Sequence, residues 1–65
     1  MKLQLNGAPV EVQAATLFEL LQSEGLGEAK VATAVNGTFV PAAARADHKL
    51  RDGDNVEVLA PMQGG

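Results

Sequence analysis

Two Asn-Gly pairs, Asn6-Gly7 and Asn36-Gly37, each stand between short apolar-rich segments in a chain of only 65 residues. Both residues of such a pair tolerate positive φ, so each pair predicts a tight two-residue hairpin. Before the first pair, Leu3 and Leu5 point one way while Lys2, Gln4 and Asn6 point the other, the period of a half-buried strand. After it, Val10, Val12 and Ala14 alternate with Pro9, Glu11 and Gln13. Pro9 cannot donate to a ladder, so it belongs at the start of that strand or toward an open edge. Before the second pair, Val31 to Val35 is nearly all apolar, which suits a strand covered on both faces or close to it. Thr38-Phe39-Val40 returns as a short strand and Pro41 breaks it.

A helix is expected between the hairpins. Thr16 and Glu19 have the spacing of a capping box. Leu17, Leu20 and Leu21 share a face, with Gln22 and Ser23 toward solvent. Gly25 supplies the left-handed stop, and Leu26 is then placed to pack back on Leu21. Gly27 to Lys30 reads as a loop. Ala42 to Ala46 has no strand pattern and fits either a helical turn or a loop. Leu50 is placed to return the chain to the core, Asp52-Gly53-Asp54 is a turn, and Val56 to Ala60 is the last strand, with Val56 and Val58 on one face. The expectation is an α+β fold: a mixed sheet of four to five strands with one main helix on one face. If the last strand lies beside the first, that pair is parallel, which accounts for the long connection.

Little in the side chains offers catalysis. His48 is the sole histidine and reads as a solvent-exposed loop residue; alone it makes no metal site. Ser23 lacks a histidine partner. Asp52 and Asp54 lack the further oxygen ligands of a calcium loop. The glycines form no phosphate-binding fingerprint. There is no cysteine, which excludes disulfides and thiolate metal sites. Eight acidic against five basic residues give a formal net charge of -3, unfavourable for non-specific nucleic-acid binding and compatible with a basic protein partner. No apolar run has the length of a membrane span and no signal peptide is evident, so the expected location is the cytoplasm.

The end of the chain is different. Pro61 ends the last strand, and Met62-Gln63-Gly64-Gly65 follow. The expected division is a folded domain over 1–60 and a flexible tail over 61–65. Chain ends commonly fray, but two successive glycines also thread a narrow channel, and no side chain obstructs attack at the Gly65 carboxyl carbon. Extended, the five residues reach roughly 16 Å beyond the folded body. An α-carboxylate is ionised at neutral pH and can attack the α-phosphate of ATP. With no cysteine present, that carboxyl carbon is the only plausible covalent sulfur site.

Ala15-Thr16-Leu17-Phe18-Glu19-Leu20-Leu21, Val35-Asn36-Gly37-Thr38-Phe39-Val40-Pro41, Leu50-Arg51-Asp52-Gly53-Asp54, and Val56-Glu57-Val58-Leu59 with terminal Gly64-Gly65 occur in this order. In a chain this short the set resembles the ubiquitin-like β-grasp sulfur carriers, and those of thiamin biosynthesis above all. The resemblance implies that Gly65 is adenylated by a ThiF-like adenylyltransferase using ATP and magnesium. Sulfur from a cysteine desulfurase or another donor then gives a thiocarboxylate, and a ThiG-like thiazole synthase consumes it. The carrier itself binds no cofactor and no metal, and it is a co-substrate rather than a catalyst. Gly64, Gln63 and Met62 would thread into the partner. Family members often carry a basic residue after the Val-Pro pair, where this chain has Ala42. Phe39 and Val58 fit a partner contact as well as they fit plain core. The small subunit of molybdopterin synthase shares the terminal chemistry and is the second reading. A regulatory β-grasp module that binds ligands or RNA is a third, and a protein modifier conjugated to lysines a fourth.

Overall fold

The computed structural model describes residues 1–60. The expected tail, including Met62, Gln63, Gly64 and Gly65, lies outside the described residues. In chain order come strands β1 (Lys2–Leu5) and β2 (Ala8–Glu11), helix α1 (Leu17–Ser23), strands β3 (Ala32–Val35) and β4 (Thr38–Val40), a 3-10 helix (Ala42–Asp47) and strand β5 (Asn55–Leu59).

Both Asn-Gly pairs make the expected turns. Asn6 and Asn36 each have φ 51°, and Gly7 and Gly37 each have φ 84°. The turns close β1 on β2, with Leu5 opposite Ala8, and β3 on β4, with Val35 opposite Thr38. The last strand enters between the hairpins, giving the order β2-β1-β5-β3-β4. It runs parallel to β1 and antiparallel to β3. Pro9 lies on the edge strand β2. It pairs with Gln4, whose own N–H donates away from β2 to the Asp54 carbonyl at 2.9 Å, so the donor missing at Pro9 faces the open edge.

Helix α1 is capped at both ends by side chains and turns already visible in the sequence. Thr16 Oγ1 accepts from the Glu19 N–H at 3.2 Å, and Glu19 Oε1 reaches back to the N–H of Ala15 at 2.8 Å, one residue before the position a standard capping box uses. At the other end the Leu26 N–H bonds the Leu21 carbonyl at 2.7 Å and the Gly25 N–H bonds that of Gln22 at 3.1 Å, with Gly25 at φ 76°. This is the Schellman pattern. Leu17, Leu20 and Leu21 are buried, and the first two share one cluster with Leu3, Val12, Val35, Val40, Leu50 and Val56. Burying a leucine of this size contributes about 1.5–3 kcal/mol, so two or three helical leucines hold much of a small domain together.

The structure corrects three local expectations. The second strand stops at Glu11, although Val12 remains buried and its N–H still bonds the Met1 carbonyl at 2.9 Å. The run from Val31 to Val35 is covered on one face only. Thr33 and Val35 are buried, whereas Ala32 is exposed and Ala34 half-buried. Alanines on the open face hid the two-residue period. His48 is half-buried rather than a free loop residue, and its carbonyl accepts the Leu17 N–H at 2.9 Å. The segment after Pro41, undecided between turn and loop, is the 3-10 helix.

That 3-10 helix is tied to the sheet by a buried cation. Arg45 is only 9% exposed. Its Nε donates to Thr33 Oγ1 at 3.0 Å and its Nη2 to the Val31 carbonyl at 2.5 Å, while Thr33 Oγ1 donates to the Val40 carbonyl at 2.7 Å. Among the described residues Arg45 has no carboxylate partner; carbonyl and hydroxyl oxygens alone satisfy it. Arg45→Ala removes the bonds to Thr33 on β3 and to Val31 just before it and should lower stability by about 2–3 kcal/mol. Arg45→Lys, which cannot reproduce the forked geometry, should recover only part of the loss; urea unfolding of the three proteins measures both.

Candidate functional site

Because β5 carries side chains alternately to the two faces of the sheet, its last turn of sequence divides between core and surface. Val56 is fully buried and Val58 half-buried against the core cluster beneath α1. Glu57 and Leu59 project from the other, uncovered face. Their cross-strand partners are Ala34 for Glu57 and Ala32 for Leu59, and Ala34 is in turn opposite Phe39 on β4. Together these five side chains line a shallow trough of about 150 Å³. Ala32 and Ala34 form its floor, while Phe39 and Leu59 rise on either side, 65% and 70% exposed. The trough sits at the root of the terminal segment, since Leu59 and Ala60 are the last described residues before Pro61.

This placement separates the two apolar residues that fit either contact or core. Phe39 is on the open face. Val58 is on the covered face, and the residue that shares the open face with Phe39 is Leu59. Sequence reasoning missed Leu59, Glu57, Ala32 and Ala34. A signal for Leu59 was available: once Val56 and Val58 are set inward, the period of two sends Leu59 outward, an apolar residue on a polar face.

The remaining polar candidates are occupied with structure. Asp54 accepts from the Arg51 N–H at 2.9 Å and from Asn36 Nδ2 at 3.0 Å, and Asp52 accepts from the Lys2 N–H at 2.6 Å. Both are turn formers. The Ser23 hydroxyl donates to the Leu20 carbonyl at 2.8 Å. His48 lines an open cleft with Lys49, Arg51 and Asp54 at the far end of β5. Among the described residues no three metal-ligating side chains converge, and no helix is long and apolar enough to cross a membrane. Among the described residues the most apolar exposed surface is therefore this trough, next to Ala60 and the segment that follows it.

Comparison with known proteins agrees in fold and length. A family model described as the ThiS family matches residues 3–65. The chain is 44% identical over 66 residues to a sulfur carrier protein ThiS of Thermus thermophilus, covering 94% of this chain and 95% of that one. Its structure superposes on the crystal structure of a thiamine biosynthesis protein (ThiS) from Geobacter metallireducens with a TM-score of 0.84, at 35% identity and full coverage of both chains. A solution NMR structure of a thiamine biosynthesis protein from the same organism gives a TM-score of 0.79 at 33% identity, covering 100% of this chain and 88% of the other.

The two faces respond differently to the same substitution. Phe39→Thr and Leu59→Thr should each change stability by less than about 0.5 kcal/mol, as surface changes usually do. Val58→Thr places a hydroxyl on the covered face and should cost about 1–2 kcal/mol. Thermal unfolding of the three variants checks the assignment.

Proposed function

Because this chain belongs to the ThiS family of sulfur carriers, we propose that the Gly65 carboxylate is adenylated and then converted to a thiocarboxylate. The supporting observation is that the family match runs through Gly65 itself, in a chain without cysteine. A carboxylate oxygen of Gly65 attacks the α-phosphorus of ATP and pyrophosphate leaves. The acyl-adenylate now carries a good leaving group. A persulfide sulfur attacks the Gly65 carbonyl carbon and AMP departs. A second thiol cleaves the resulting acyl disulfide, and the terminal sulfur stays on the carrier. Magnesium and basic residues of the activating enzyme neutralise the phosphates, since this chain has a formal net charge of -3.

In this reading a ThiF-like adenylyltransferase supplies the activation and a cysteine desulfurase or similar donor the sulfur. A ThiG-like thiazole synthase takes the sulfur into the thiazole of thiamin. The thiamine-biosynthesis names of the relatives favour thiazole over molybdopterin as the destination. The cycle runs in the cytoplasm, where ATP is available. The carrier is a co-substrate. It docks by the open sheet face, with Phe39 and Leu59 as its apolar contacts, and passes Met62, Gln63 and Gly64 into the enzyme.

The experiment is intact-mass analysis after incubation with ATP, magnesium, a ThiF-like adenylyltransferase and a sulfur source. The expected product has one oxygen exchanged for sulfur at the C-terminus. A chain lacking Gly65 should gain nothing, and Met62→Asp should slow adenylation while leaving the unfolding temperature unchanged. High-mass adducts would point instead to a protein modifier, and an unaltered wild-type mass would end the carrier reading.

A further inference from the structure

The trough on the open sheet face has an apolar floor, an aromatic wall and one charge. Glu57 is the only ionisable side chain lining it, and among the described residues Glu57 has no ion-pair partner. Its cross-strand neighbour on β3 is Ala34, which carries no polar group to share. A partner that covers this face strips water from the carboxylate. Against a purely apolar surface that carboxylate would be buried unpaired, which is strongly unfavourable. The same group that tolerates solvent in the free protein therefore rejects any partner that brings no cation, and selects one that does.

The dimensions narrow the cation further. The trough encloses about 150 Å³, below the roughly 300–1,000 Å³ of typical small-molecule sites, and suited to one long side chain. Ala32 and Ala34 leave room above the sheet for an aliphatic stem. Phe39, 65% exposed, offers an aromatic ring, and Glu57 a pair of acceptor oxygens. A guanidinium meets both demands: it stacks on aromatic rings, binds carboxylates through two parallel N–H bonds and gives up its hydration more readily than an ammonium. We propose that the trough formed by Ala32, Ala34, Phe39, Glu57 and Leu59 is a socket for a single arginine side chain of the adenylating partner. The arginine stem lies over the alanines, with its guanidinium between the Phe39 ring and the Glu57 carboxylate. The socket rests on the carrier reading above and adds to it the chemistry by which the partner is chosen.

The test uses the full-length chain and a ThiF-like adenylyltransferase, with thiocarboxylate formation followed by intact mass over a range of carrier concentrations and at low and high salt. Glu57→Gln keeps the shape and removes the charge; it should raise KM for the carrier about tenfold, the fold-change of one charge-assisted hydrogen-bonded contact. It should leave kcat within about twofold, because the contact is remote from the reacting carbon and equal in ground and transition states. It should also flatten the rise of KM with salt that the wild type shows. Phe39→Leu, apolar but without the ring, should raise KM about threefold. Unfolding temperatures of both variants should match the wild type. If the wild type is charged with sulfur and Glu57→Gln matches its KM at low salt, the socket is wrong and the carrier reading stands. An effect of Glu57→Gln with none of Phe39→Leu overturns the stacked guanidinium. If the wild type is never charged, both readings fall together.

Discussion

The hydrogen bonds along both sides of β5 join what would otherwise be two separate hairpins. On one side the Gln4 and Asn6 N–H groups bond the Asp54 and Val56 carbonyls, each at 2.9 Å. On the other, β5 pairs with β3 from Val56 to Leu59. The turn asparagines extend this clamp beyond the backbone ladders. Asn6 Oδ1 accepts from the Val58 N–H at 2.8 Å while its Nδ2 donates to the Val58 carbonyl at 3.2 Å, so the side-chain amide continues the parallel ladder past the end of β1. Asn36 Oδ1 accepts from the Asn55 N–H at 2.9 Å, where β5 begins. Each asparagine thus performs two tasks: its tolerance of positive φ makes a hairpin turn, and its amide grips the strand that the turn flanks. An aspartate at position 6 would keep the first and lose the donor to the Val58 carbonyl; at position 36 it would lose the donor to Asp54.

Fixing β5 also fixes the chemistry of the open face. With Val56 and Val58 committed to the core beneath α1, Glu57 and Leu59 have no freedom to point elsewhere. The alanines of β3 keep the space between them and Phe39 clear. The helices cover one side of the sheet; on the other, Lys2 and Gln4 make the β1 portion polar, while around Ala32, Ala34, Phe39 and Leu59 the surface is apolar with Glu57 as its one acid. The chain belongs to a family of sulfur carriers, and in the function proposed above this folded body is the handle beside the reacting terminus.

Much of this was legible in the residues themselves. The Asn-Gly turns, the Thr16–Glu19 cap, the Gly25 stop and the period of two in β1 and β5 are local signals, and each has one dominant physical cause. A parallel pairing of the first and last strands was expected only on the condition that they lie side by side, and the structure supplies that adjacency. What escaped was information that only the third dimension holds. Ala32 and Ala34 look like core in a row of apolar residues, because alanine is small enough to be acceptable on either face. Arg45 looks like an exposed charge in the segment after Pro41, and nothing nearby in sequence announces that Thr33 and Val31 will receive it. Val58 and Phe39 were ambiguous for the same reason: pairing register, not residue type, decides which side of a sheet a valine or a phenylalanine occupies.

The position of β5 has a mechanical consequence. A strand at the edge of a sheet has a single ladder of hydrogen bonds to resist a pull on its end. A strand flanked on both sides and pulled along its own axis loads two ladders in shear, so that many bonds must yield together. Tension entering at Ala60 along the strand axis is therefore shared by both hairpins and by the amides of Asn6 and Asn36. A pull that reaches the sheet through Ala60 is therefore spread over the whole domain rather than over one pair of strands.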